Sequence, residues 1–164
     1  MAGISGTLTK MLVSKLTSAS QGVNSQIGAI TQADPTLTPL AIKSVSAQNV
    51  SVDIADATQQ TQYPSILVYC DKLTNALTEK YRQFSGQARM NVEVRHSEDT
   101  LAAVQTNLQT AVDGVCALLE ASRGDWGDGA FYVGGYDVTY EAVARGGKNF
   151  LQRAKVTFEL EVSA

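Results

Sequence analysis

The sequence predicts an α+β domain: a single twisted, mainly antiparallel β-sheet with two helices packed on one face. Three observations predict it. Two stretches, one at the N-terminus and one in the middle, place apolar residues at helical spacings of three and four. Several others alternate apolar with polar residues, the period of a half-buried strand. The order is a leading helix followed by strand–helix–strand–strand–strand, which a sheet carrying helices on its apolar face accommodates, with the other face polar. The chain has 164 residues, of which 44% are hydrophobic and 18% charged. That length suits one domain able to fold without a metal or disulfide, and that balance argues against disorder.

Ile4, Leu8, Leu12, Leu16, Ala19, Val23, Ile27 and Ile30 share one helical face. They predict a single helix within 1–31, weakened at Gly22 and Gly28 and ended at the latest by Asp34-Pro35. Thr, Ser, Gln, Ala and Pro dominate residues 34–62, which read as an extended arm or loop. Within it Val50, Val52 and Ile54 alternate with Ser51 and Asp53 as a short strand. A connection this long in a small domain usually has a task, and it suits an arm that orders against a partner.

Residues 63–164 are expected to hold the sheet and the second helix. Ser65 to Cys70 is a continuous apolar run, expected as a strand covered on both faces. Leu73, Leu77, Tyr81 and Phe84 fit a helix by spacing, yet Tyr81, Arg82 and Phe84 suit an exposed ribbon. Extended structure is the expectation over 72–84, with a turn at Ser85-Gly86. Met90, Val92 and Val94 then alternate with Asn91, Glu93 and Arg95, a strand with one apolar and one polar face.

Ser97 as N-cap places Glu98 and Asp99 in the first turn of the second helix, beside the positive end of its dipole. Leu101, Val104, Leu108, Val112, Val115 and Leu119 mark its apolar face, and Arg123-Gly124 closes it. Gly124 to Gly129 reads as a loop. Phe131 to Val133, Tyr136 to Tyr140 and Phe150 to Val162 read as strands, separated by Gly134-Gly135 and Gly146-Gly147. In the last strand Ala154, Val156, Phe158, Leu160 and Val162 take the covered face. Arg153, Lys155, Thr157, Glu159 and Glu161 take the other.

Catalytic signals are thin. The sequence has one histidine, His96, so a His-cluster metal site cannot be built within one subunit. At a strand-to-helix junction it reads as a hydrogen-bonded or exposed structural residue. Cys70 and Cys116 lie in apolar contexts and read as buried thiols made in a reducing compartment, which leaves no Cys–His nucleophile. Asp125 and Asp128 around Trp126 lack the ligand number and closing Glu of a calcium loop. Neither that loop nor Gly146-Gly147-Lys148 has the spacing of a phosphate-binding loop. Arg123-Gly124-Asp125 spells an adhesion tripeptide, but a helix cap explains the arginine better.

A formal charge of −3 disfavours a dedicated nucleic-acid clamp, which needs a basic face. No run approaches the ~20 apolar residues of a membrane helix. The N-terminus lacks the pattern of a secretory signal, so the sequon Asn49-Val50-Ser51 carries no expectation of a glycan. The expectation is a protein that is not an enzyme, with no catalytic residues, cofactor, metal or membrane contact.

Aromatic residues are distributed unevenly. Trp126, Phe131, Tyr132, Tyr136 and Tyr140 crowd a glycine-rich region after the second helix. Part of this group belongs to a core. The remainder reads as an assembly surface, with Trp126, Phe131, Tyr132 and Tyr136 as candidate subunit contacts.

Five ordered blocks carry a family likeness. They are Glu79-Lys80-Tyr81-Arg82-Gln83-Phe84-Ser85-Gly86, Val92-Glu93-Val94-Arg95, Arg123-Gly124-Asp125-Trp126-Gly127, Gly134-Gly135-Tyr136-Asp137-Val138 and Gly146-Gly147-Lys148-Asn149-Phe150-Leu151-Gln152. Over roughly residues 63 to 164 the chain resembles the tail-terminator (tail-completion) proteins of tailed bacteriophages. The resemblance implies a small α+β virion protein, assembled in the host cytoplasm into a ring, commonly a hexamer. Such a ring caps the head-proximal end of the tail tube, stops its growth and docks the head connector or stopper. Genomic DNA passes through the bore without specific binding. The family has no catalytic residues to carry over. Other neck or tail components (a stopper, an adaptor or a tube subunit) are the alternative of the same class, and a small cytoplasmic enzyme is the alternative of another.

Overall fold

The computed structural model describes residues 3–51, 62–146 and 148–164. The apolar face of the leading segment is buried, but by two helices where one was expected within 1–31. Helix α1 (Ile4–Thr17) buries Leu8, Leu12 and Leu16, and α2 (Val23–Ala33) buries Val23 and Ile27. The chain leaves the helix at Ser18 and doubles back so tightly that a side chain on Gly22 would overlap the Ser18 carbonyl oxygen. The Gly22 amide donates to that oxygen at 2.9 Å. Side-chain spacing alone could not reveal this break, because the apolar stripe continues on the second helix.

The arm begins as part of the sheet. Strand β1 (Ser44–Ser46) pairs in parallel with the start of β2 (Ser65–Asn75). The Asn24 side chain ties this segment to α2, accepting from the Ile42 amide at 2.7 Å and donating to the Ile42 carbonyl at 3.3 Å. The strand expected from Val50 to Ile54 lies, from Val52 onward, outside the described residues.

Two long strands form the spine. β3 (Ser85–Glu98) and β8 (Asn149–Ser163) pair antiparallel without interruption from Ser85↔Ser163 to Glu98↔Phe150. β2 lies antiparallel on the other side of β3, with a register shift between Cys70 and Lys72. Ser85 and Gly86 are therefore paired residues and not the expected turn, which occupies the preceding loop. A side chain on Gly86 would overlap the Thr74 carbonyl, so the close approach of the strands is what requires glycine there.

Strand β3 runs to Glu98, and the second helix, α3 (Leu101–Ala121), is capped by Thr100, whose hydroxyl accepts from the Ala103 amide at 3.3 Å. The cap expected at Ser97 is thereby displaced. Leu101 is exposed, while Val104, Leu108, Val112, Val115 and Leu119 are buried. The helix ends at Ser122, and Gly124, with φ +117°, opens a strand instead of closing the helix.

The expected loop at 124–129 is a hairpin. β4 (Gly124–Gly127) pairs with β5 (Ala130–Tyr132) through a turn in which Asp128 and Gly129 have positive φ. β5 joins the C-terminal end of β8, and β6 (Asp137–Tyr140) and β7 (Ala144–Gly146) join earlier parts of it. The described residues thus form an eight-stranded, mostly antiparallel sheet with three helices, an α+β fold.

Helix α3 packs on β3 and β8, α1 on β2, and α2 on α3. Met90, Val92 and Val94 share one core cluster with Ala154, Val156, Phe158 and Leu160 and with the buried helix residues. The polar residues of β3 depart from expectation: Asn91, Glu93 and Arg95 are buried as well. Glu93 and Arg95 form an ion pair, Arg95 Nη2 donates to the Val50 carbonyl at 2.5 Å, and Thr157 donates to Asn91 Oδ1 at 2.9 Å. Alternation identifies the apolar face of a strand, but it carries no information about what covers the polar one.

Candidate assembly surface

The four aromatic candidates fall in different environments. Trp126, Tyr132 and Phe158 form a triad with ring centroids 5.2–5.9 Å apart. Tyr132 is 1% exposed and its hydroxyl donates to the Gly135 carbonyl at 2.9 Å, so its ring belongs to the core and is unavailable to a neighbour. Trp126 roofs the triad, half-buried, with its indole N–H on the Ser122 carbonyl at 2.7 Å and Lys15 Nζ 4.8 Å from its ring. Tyr136 is half-buried and donates to Glu120 Oε1 at 2.6 Å, a bond that pushes its phenol well above the ordinary tyrosine range. Phe131 is exposed.

A second exposed apolar group lies at the outer end of β2 and in the loop after it. Leu73, Leu77 and Tyr81 project into solvent, Tyr81 without any cover. Extended structure holds through Asn75, and the remainder of 72–84 is an irregular loop held by side chains. Asn75 Oδ1 accepts from the amides of Leu77 and Ser85 at 3.3 and 3.1 Å, and its Nδ2 donates to the Gln83 carbonyl at 3.0 Å. The Glu79 amide donates to Ser85 Oγ at 2.9 Å, and Ser163 Oγ donates to Glu79 Oε2 at 2.6 Å. Leu77 and Tyr81 have φ of 49° and 66°, the left-handed region, which costs a bulky residue about 1–3 kcal/mol. The sequence reading did not select these residues as contacts. The available signal was the charge of Lys72, Glu79, Lys80 and Arg82 around them, which marks a solvated stretch.

Between this loop and the β4–β5 turn runs a groove of about 480 Å³. Glu79 lines the loop side, Gly129 and Phe131 the hairpin side, and Gln87, Glu161 and Val162 also line it. Glu161 stands opposite Gln87 on one neighbouring strand and Phe131 on the other. It has no ion-pair partner among the described residues. The groove presents carboxylates, amides and an aromatic ring, a set suited to holding a basic or amphipathic segment.

None of the other reactive side chains lines this groove. His96 is 3% exposed, with Nε2 2.9 Å from Glu98 Oε1, and Asn107 donates to the same oxygen at 3.0 Å. Cys70 and Cys116 are half-buried free thiols, not the fully buried ones expected. Burial pushes the Cys116 thiol up to about 11. No group of three or more His, Cys, Asp or Glu able to hold a metal ion occurs among the described residues, and no helix there is long and apolar enough to cross a membrane. No family model matches this chain, and no curated protein matches it.

Proposed function

We propose that this chain is a structural virion protein that forms a ring on the head-proximal end of a phage tail tube and joins the tube to the head connector. The observation that carries the reading is the ordered series of sequence blocks from Glu79 to Gln152. In the fold they fall along one sheet: the loop entering β3, β3 itself, β4, the approach to β6 and the start of β8, with Gly147 outside the described residues. A second support is the surface. Leu77, Tyr81, Phe131, Val133 and Tyr140 are exposed large apolar or aromatic side chains, and exposed aromatics are enriched where proteins meet. A ring needs two different patches related by a rotation that closes, and a subunit with distinct sheet edges and loop ends offers them. The net charge of −3 fits a bore that lets DNA pass, since fixed negative charge does not grip phosphate. Imaging of assembled tails tests the reading: density for this chain should form a ring at the upper end of the tube. Density along the shaft or in the baseplate would refute it.

A further inference from the structure

We propose that the groove beside Glu161 is filled by a second copy of this chain, whose Arg145 and Lys148 enter it head to tail. The inference rests on the ring reading above and names its contact. The groove lies at the C-terminal end of β8, and Arg145 and Lys148 lie at the β7–β8 corner, at its N-terminal end. Along one strand these ends are roughly 40 Å apart at about 3.3 Å per residue, so no chain reaches its own groove with its own corner.

The charges at the two ends are complementary, and Arg145, Lys148 and Glu161 have no ion-pair partner among the described residues. The other strand-borne arginines are matched within the chain: Arg89 by Asp71, Arg95 by Glu93 and Arg153 by Glu141. Arg145 and Lys148 are exposed and have no ion-pair partner among the described residues. Opposite them, Glu161 is likewise unpaired, and Glu79 is engaged by Ser163 and lies 3.7 Å from Arg82 Nε. Phe131, exposed on the hairpin side, offers apolar surface for the stems of Lys and Arg, leaving the cationic heads at the carboxylates. The two patches differ, so the contact is heterologous and repeats until a rotation closes it. Complementary charge fixes the orientation and rejects a like-charged face.

Carbodiimide cross-linking of the full chain, mixed from equal ¹⁴N and ¹⁵N protein, tests this, because the reagent joins a carboxylate to an amine in contact with it. The expected product is a mixed-isotope link between Lys148 and Glu161 or Glu79. Glu161→Lys should weaken self-association at least tenfold with an unchanged circular dichroism spectrum, and adding Lys148→Glu should restore it. Undiminished association of Glu161→Lys, a link from Glu161 to another lysine or to a different tail protein, or a chain that stays monomeric at millimolar concentration and gives no such link on assembled tails would overturn the contact. A ring imaged at the tube end without this link removes the contact and leaves the ring. A chain absent from the tube end removes the ring reading, whatever the cross-links show.

Discussion

The Cys116 thiol is half-buried on α3 and held near 11 by desolvation, against an ordinary value of 9.0. The thiolate is the reactive form, so alkylation at pH 8 should run roughly a hundredfold slower than for a free thiol. Labelling followed by intact mass checks this, and a rate like that of free cysteine would show that the α3 surface opens readily. Trp126 contributes directly to the core. Its ring roofs Tyr132 and Phe158, and its N–H satisfies the last turn of α3. Trp126→Ala should cost about 3 kcal/mol, read as a lower midpoint in urea, before any effect on assembly. Glycine neighbours made the indole look like an exposed contact in the sequence. Of the residues that do project, Tyr81 was read as suited to an exposed ribbon, whereas the spacing of Leu77 fitted a helix as well as a ribbon.

At the scale of elements, the pairing of β3 with β8 decides whether the sheet exists. Phe158 is 2% exposed within that pair, and Phe158→Ala should cost about 3–5 kcal/mol. Thr157→Ala, on the other face, should cost about 1 kcal/mol for the lost bond to Asn91. Equal losses in chemical denaturation would contradict the register. Asp71 and Arg89 clamp β2 to β3 at the register shift with two hydrogen bonds of 2.8 and 3.0 Å. The guanidinium holds the Asp71 carboxyl below the usual range, so the folded state favours its ionised form. That contribution is present above the unfolded value of about 3.9 and is lost as pH falls through the lower folded value. Asp71→Asn should therefore be less stable than the parent at pH 7, with the gap closing in strong acid; a pH-independent gap would deny the clamp. Strand β8 and the body of α3 were legible in the sequence because burial on one face writes a period into the residues. The break at Gly22, the β4–β5 hairpin and the Thr100 cap were not, because each depends on close approach or on a tertiary partner that leaves no period.

At the scale of the whole molecule, the α+β class followed from the segment order, since two amphipathic helices and a set of alternating strands have few ways to bury their faces together. The second face of the sheet was read as polar, and the polar residues Asn91, Glu93 and Arg95 on β3 are nevertheless buried, with Arg95 meeting Val50 at the head of the arm. The proposed assembly surface was only partly legible: the aromatic crowding drew attention to Phe131, which is exposed, whereas the groove joins the β2–β3 loop to a hairpin distant in sequence. In the proposed reading, a ring built from such subunits is an arrangement of surfaces, with DNA passing through a bore it does not hold. The most direct test of that account is electron cryomicroscopy of assembled tails, with this chain's density traced at the head-proximal end of the tube. The account predicts a closed ring there, of six copies, stacked between the last tube ring and the head connector. A different copy number would change the count and keep the role, whereas density for the chain along the shaft, in the baseplate or nowhere in the particle would contradict it.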